Sequence, residues 1–205
     1  MVAIDRFTYA TAPRLWRDET CVILASGPSL TAADVAYCRG RARILAIKDA
    51  IRLAPDADAL YASDAKWWAY YGDELSYVGP RYALEMAAAP WASVLKNTGS
   101  TGLELRPDGL KTGSNSGYQA INLAVHLGAR KIVLLGYDMS PANGQHHWFG
   151  AHPYPNATVP PYSLFLKCFE TLVTPLRTAG VEVLNATRRT VLHAFERRSL
   201  EEALA

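Results

Sequence analysis

The stretch Cys21-Val22-Ile23-Leu24-Ala25-Ser26-Gly27-Pro28-Ser29-Leu30 decides how this chain is read. Val22-Ile23-Leu24 has the length and β-branched content of a buried strand. The apolar run stops at Ser26-Gly27-Pro28-Ser29, and a helical pattern begins near Thr31. Gly27 permits close backbone approach or a positive φ. Pro28 removes one donor and fixes φ. Ser29 and Thr31 are both suited to cap the helix. A strand, a glycine turn and a helix N-terminus in that order make an anion site, because unpaired N–H groups and the helix dipole face the ligand. The same residues serve equally well as an ordinary strand-to-helix turn.

Outward from this stretch, short apolar runs alternate with helical patterns. Arg43 to Ile47 predicts a second strand, with Lys48 and Asp49 at its carboxyl end. Residues 57–62 predict a third, after which Ser63-Asp64 is expected to cap a helix carrying Trp67, Trp68, Tyr70 and Tyr71. Residues 13–17 carry some helical character. Short strands are expected at 81–84 and 93–96, with a polar glycine loop at 97–101. Lys111-Thr112-Gly113-Ser114-Asn115-Ser116-Gly117 is a second small, polar turn, and a helix from Tyr118 to Leu127 follows it. That helix is apolar around most of its girth, which marks it as buried, and Gly128 closes it. Lys131 to Leu135 has the near-continuous apolar character of a doubly covered parallel strand and ends in Gly136-Tyr137-Asp138. Residues 139–162 form a long irregular loop, too aromatic to be disordered. A helix at 163–179, a strand at 181–184 and a short helix at 199–204 complete the chain. The alternation predicts an α/β fold: a single domain over 1–205, with a mostly parallel sheet covered by helices on both faces.

The totals agree with that expectation. A chain of 205 residues, half apolar and one-fifth charged, suits a single globular domain. A net charge of +2 gives no strong polyanion signal. Arg188-Arg189 and Arg197-Arg198 read first as a solvated face rather than a nucleic-acid patch. Three widely spaced cysteines without a CxxC argue against a disulfide scaffold or zinc ribbon, and fit a reducing compartment. The first ten residues lack the apolar core of a signal peptide, and no apolar run approaches membrane-spanning length. A cytoplasmic location is the expectation, which leaves the sequons at Asn156 and Asn185 without meaning.

Ligands of open parallel sheets bind outside the carboxyl ends of the strands. Those ends carry Ser26-Gly27-Pro28-Ser29, Lys48-Asp49, Ser63-Asp64, Tyr137-Asp138 and Asn185-Ala186-Thr187. With the turn at 113–117 they suit a phosphate-bearing ligand, although the chain contains neither GxxxxGK[ST] nor GxGxxG. Asp138 is a candidate for a ribose hydroxyl, a metal or an acceptor, or else a cap for the following loop. His146-His147-Trp148-Phe149-Gly150-Ala151-His152 is the densest chemistry in the chain. Three roles suit it: metal binding, general acid–base work by an imidazole that titrates near neutrality, or polar support of the loop.

Three stretches taken together resemble a known group: Ala25 to Leu30, Gly113 to Gly117 running into Gly128 to Asp138, and His147-Trp148-Phe149-Gly150. In order and spacing they resemble the bacterial sialyltransferase-like Rossmann proteins, and most of all their short phage-encoded versions. That group includes the CMP-sialic-acid-using enzymes and the wider 6-hydroxymethylpterin pyrophosphokinase-like relatives. Asn185-Ala186-Thr187 and the tail from Phe195 to Leu204 fit the wider group. The resemblance implies a Rossmann-like domain with a nucleotide cradled by Gly27, Pro28 and Ser29 and by Ser116 and Gly117, and Ser26, Lys48, Asp49, Ser114, Asn115 and Asn185, at the strand ends and in the second turn, are the further candidate nucleotide contacts. It implies His147 as the base toward an acceptor hydroxyl, Asp138 in support, and an inverting transfer from a CMP-sugar or other nucleotide sugar without a metal or a tightly bound cofactor. Where the sialyltransferases place an asparagine before Gly-Pro-Ser, this chain has Ser26. Lys48-Asp49 replaces a second asparagine, and Met139-Ser140-Pro141 stands where tyrosines hold the leaving phosphate. Two alternatives stay open. One is Mg²⁺-dependent diphosphate transfer with Asp49, Asp64 or Asp138 as ligands, and the other is a nucleotide-binding module without turnover. The expected partners are a nucleotide and a small-molecule or glycan acceptor, with a nucleic-acid acceptor and a homo-oligomer left open. The expected setting is a bacterial cytoplasm or a phage-infected host.

Overall fold

The computed structural model describes residues 8–153 and 160–205. The Asn156 sequon and residues 1–7 lie outside them. Among the described residues there are ten strands: β1 (Thr20–Leu24), β2 (Arg43–Ile47), β3 (Ala59–Tyr61), β4 (Arg81–Ala83), β5 (Ser93–Val94), β6 (Lys96–Asn97), β7 (Gly109–Leu110), β8 (Lys131–Leu135), β9 (Glu182–Asn185) and β10 (Glu196–Arg197). Eight of them form one sheet in the order β10-β9-β8-β1-β2-β3-β4-β5. Every pairing in it is parallel. The helices are α1 (Ala32–Cys38), α2 (Ala65–Tyr71), α3 (Ser116–Leu127), α4 (Tyr162–Thr178) and α5 (Leu200–Ala203).

The sheet is buried on both faces, and the period of two in each strand sorts its side chains between two cores. Cys21 and Ile23 of β1, Leu45 of β2 and Leu134 of β8 pack with α3 and α4. Val22, Leu24, Ile44 and Val133 point the other way, against α1, α2 and α5. This explains the unbroken apolar runs, since a strand covered on both faces has no solvent side to mark with polar residues.

Local signals start the helices. Thr31 and Asp34 form a reciprocal capping box at α1. Asn115 accepts the Tyr118 amide at 2.8 Å and caps α3, so the helix begins two residues before the expected Tyr118. Gly128, with φ of 108°, closes it in the left-handed region. Asp64 precedes α2 without a capping bond. Its carboxylate pairs with Lys48, and the Ala65 amide is taken by Glu85 Oε2 at 2.8 Å.

The expected helical character at 13–17 is absent. That segment is a strap whose Trp16 amide donates to Leu127 O at 2.7 Å. Trp16 is buried at the C-terminus of α3, so tertiary contacts override local propensity there. The two-residue strands β6, β7 and β10 are too short to leave a periodic signal.

Phe169 of α4 joins the layers under the carboxyl edge. It is fully buried and meets Tyr118 of α3, Tyr137 after β8, and Phe195. Phe169→Ala is expected to cost about 3–5 kcal/mol. The check is a lower denaturant midpoint at unchanged slope.

Candidate functional site

The strand order places a topological switch between β1 and β8. From β1 the chain runs outward through β2 to β5, then returns to β8 and runs the other way. Crevices at such switch points are where open α/β sheets bind ligands. Here that switch point lies between the turn after β1 and the turn after β8.

These two turns are bonded to each other. Gly27 N–H donates to Gly136 O at 2.8 Å. Asp138 accepts from the Ser29 amide at 3.0 Å and from Ser29 Oγ at 2.9 Å. A Cβ on Gly27 would lie 2.0 Å from Asp138 Oδ1 and 2.4 Å from Gly136 O, so only glycine fits.

This geometry revises the expected anion cradle. The Leu30 amide donates to Gly27 O at 3.1 Å, the Thr31 amide to Asp34 at 3.0 Å, and Pro28 has no N–H. The donors of the first turn are therefore spent inside the protein. Asp138 is likewise a tie between turns. It is 2% exposed, and burial pushes its carboxyl above the ordinary range while the bonds from Ser29 act the other way. Asn185, expected at the ligand, is 0% exposed. It accepts from the Thr187 amide at 3.1 Å and donates to Leu192 O at 3.0 Å, which fixes the turn after β9.

The N-terminus of α3 faces the same edge. Tyr137 Oη donates to Gly117 O at 3.0 Å and Tyr61 Oη to Gln119 Oε1 at 2.9 Å, pinning the first turn of α3 over the ends of β8 and β3. Asn115 takes one first-turn amide. The amides of Ser116 and Gly117 stand ahead of it as donors for an acceptor outside the helix.

The histidine loop docks onto the opening stretch. His147 Nδ1 lies 2.9 Å from Ser26 Oγ, and the Trp148 amide donates to Ser26 O at 3.0 Å. Phe149 stacks on the His147 ring at 5.1 Å with planes 5° apart. The His152 ring is 4.7 Å away. His146 Nδ1 meets Tyr162 Oη at 3.1 Å and ties the loop to α4. Burial lowers the His147 pKa to about 4, with help from His152, Lys48 and His146. The imidazole is thus neutral at pH 7. Burial also lowers His152, against the opposing charge of Asp49.

The residues after β2 divide. Lys48 forms an ion pair with Asp64 across the strand ends. Asp49 turns inward, 1% exposed, and accepts from Trp67 Nε1 at 3.0 Å. Asp49 therefore supports the loop, 3.8 Å from His152 Nδ1, instead of meeting a ligand. The three aspartates suggested as Mg²⁺ ligands have separate partners: Trp67 for Asp49, Lys48 for Asp64 and Ser29 for Asp138. Among the described residues, no group of three His, Cys, Asp or Glu side chains is placed to hold a metal ion.

Among the described residues, four of the five non-glycine residues with positive φ follow strand ends or lie in the turns of this region, and the fifth, Asp18, precedes β1. Lys48 has φ of 51°, Ser114 60°, Met139 53° and Asn143 50°. Such conformations cost a non-glycine residue free energy and cluster at functional sites. The arginine pairs are less distinctive. Arg188 pairs with Asp34, Arg198 with Glu196, and Arg197 donates to Thr187 O at 2.9 Å.

No family model and no curated protein matches the sequence. Among solved structures, the fold is similar to that of the MAf glycosyltransferase from Magnetospirillum magneticum AMB-1, with a TM-score of 0.63 at 12% sequence identity. The likeness covers 94% of this chain and 36% of that one, so the chain spans about a third of the length of this structural relative. The shared feature is the fold. No helix among the described residues is long and apolar enough to cross a membrane.

The contact between the two turns has a direct test. Gly27→Ala forces a methyl into Asp138 and should destabilise the protein by about 1–3 kcal/mol. Thermal unfolding at neutral pH checks this. A variant as stable as the parent would mean that the turns are not in contact.

Proposed function

We propose that the chain is a glycosyltransferase that uses a nucleotide sugar and transfers to an acceptor hydroxyl with inversion, without a metal, and with His147 as the general base. The observation that carries this reading is a neutral, half-buried imidazole held against Ser26 at the sheet's switch point. The fold shared with the MAf glycosyltransferase supports the reaction class. The earlier resemblance to the sialyltransferase-like group supports the choice of base.

In this reading the donor phosphate faces the Ser116 and Gly117 amides, the hydroxyls of Ser114 and Ser116, and the Lys48 ammonium. Gly27 and Pro28 present a floor without bulky side chains. The acceptor oxygen attacks the anomeric carbon from the side opposite the nucleotide while its proton passes to His147. The C–O bond to the phosphate breaks, and its electron pair leaves with the nucleotide. Amide donors and Lys48 stabilise the charge that develops there. Trp148 and Phe149 limit water at the reacting carbon. Lys48 also helps to keep His147 weakly basic. An anionic donor offsets that charge and raises the basicity of the imidazole once substrate is bound.

Calorimetric titration with CMP, UDP, GDP and their sugars is the first test, and absence of binding to all of them overturns the proposal. With a donor identified, His147→Ala should lower transfer about 10²–10⁴-fold and leave nucleotide affinity largely intact. Retention of full activity by this variant rejects the base assignment. The non-catalytic reading fails on turnover of any donor, slow hydrolysis included.

The pH dependence carries a sign. His147 is depressed in the folded chain, so its neutral form is favoured over that in the unfolded chain. Its contribution to stability is complete above the ordinary imidazole range and is lost as pH falls through that range toward about 4. The acid limb of kcat/KM, which reports the free enzyme, is expected near 4 rather than near the ordinary 6.5. A pH–rate profile measured on the intact protein checks it.

A further inference from the structure

His147 lies on a loop with little regular structure of its own; one isolated bridge, Ala142 to Gln145, is its only pairing among the described residues. A base on such a loop needs an external reference, and Ser26 supplies one twice. Its side chain meets His147 Nδ1 at 2.9 Å, and its carbonyl accepts the Trp148 amide at 3.0 Å. The residues on either side of Ser26 are held in turn. The Ala25 amide before it donates to Leu135 O at 2.9 Å, and the Gly27 amide after it to Gly136 O at 2.8 Å. Both neighbours are thus bonded to the end of β8.

Two restraints define the ring. Phe149, stacked at 5.1 Å and 5°, sets its plane. The bond at Nδ1 sets its rotation within that plane. A neutral imidazole carries one N–H, and a serine hydroxyl can either accept from Nδ1–H or donate to Nδ1, so the contact fits both tautomers and only the first leaves Nε2 as the basic nitrogen. We propose that Ser26 is a positioning residue for His147: its Oγ accepts a bond from Nδ1–H, leaving Nε2 with the lone pair that takes the acceptor proton. This assignment rests on the reading of His147 as a base. It moves Ser26 from the set of nucleotide contacts to the support of the base.

The test begins on the intact protein without ligand. Nitrogen-15 NMR of the histidine side chains at pH 7, with His147→Gln assigning the signals, is expected to show His147 protonated at Nδ1. Ser26→Ala should remove that preference and shift the population toward Nε2–H. Ser26→Thr, which keeps the hydroxyl, should restore it. A wild-type ring protonated at Nε2, or a Ser26→Ala protein that keeps the Nδ1–H form, overturns the proposal. Circular dichroism confirms that each variant is folded, and the threonine variant keeps the test decisive if the alanine variant is not.

In turnover with the donor identified by titration, Ser26→Ala should lower kcat about 10–100-fold, the usual cost of losing an orienting partner. KM for the donor should change little, whereas loss of a nucleotide contact would raise KM instead. The two readings can fail separately. If His147→Ala transfers normally while the NMR result holds, the base is wrong and Ser26 still orients the ring. If His147→Ala is inactive while Ser26→Ala keeps both tautomer and kcat, the base stands and the positioning role falls.

Discussion

The bond between the Asp138 carboxylate and Ser29 is the constraint on which the rest of the site depends. It closes the turn after β1 onto the turn after β8 through two contacts, 3.0 Å to the amide and 2.9 Å to the hydroxyl. Burying a carboxylate is costly unless hydrogen bonds replace its water, and here the helix-opening turn provides them. Gly27 leaves room for the approach. Once the turns are joined, the direction of α1, the position of Ser26 and the landing point of the histidine loop all follow.

The site thus combines a rigid part and an irregular part. The rigid part is the parallel sheet, whose switch point lies between β1 and β8. The irregular part is the segment after β8, which carries three histidines and a tryptophan–phenylalanine pair. It packs through aromatic stacking and a few polar anchors to Ser26 and Tyr162. Backbone strain at Lys48, Ser114 and Met139 lies along the boundary between the two parts. Regular structure positions the boundary, and the strained residues turn the chain toward the crevice.

Charge follows the same division. Asp138 is buried and bonded to Ser29, and Asp49 is buried with its Oδ2 on Trp67. Lys48, paired with Asp64, and the first turn of α3 lie along the same edge.

Much of this was legible in the amino-acid sequence. Unbroken apolar runs at β1, β2 and β8, the girdled helix α3 and the small polar turns after the strands are local signals, set by periodicity and turn chemistry. They determined an α/β fold, a parallel sheet covered on both faces, and an edge rich in small polar and histidine residues. The strand order, and with it the meeting of β1 and β8, was decided by the tertiary structure. So were the partners of the chemical groups. Asp138 reaches Ser29 across 109 positions of sequence, and His147 reaches Ser26 across 121. Asn185 and the amides of the opening turn look free in a linear reading and are spent internally once the chain is packed, whereas Asp49 is buried with only its Oδ2 bonded, to Trp67. The reason is physical: periodicity reports which face a residue covers, whereas a hydrogen bond between distant segments depends on how whole elements are placed against one another.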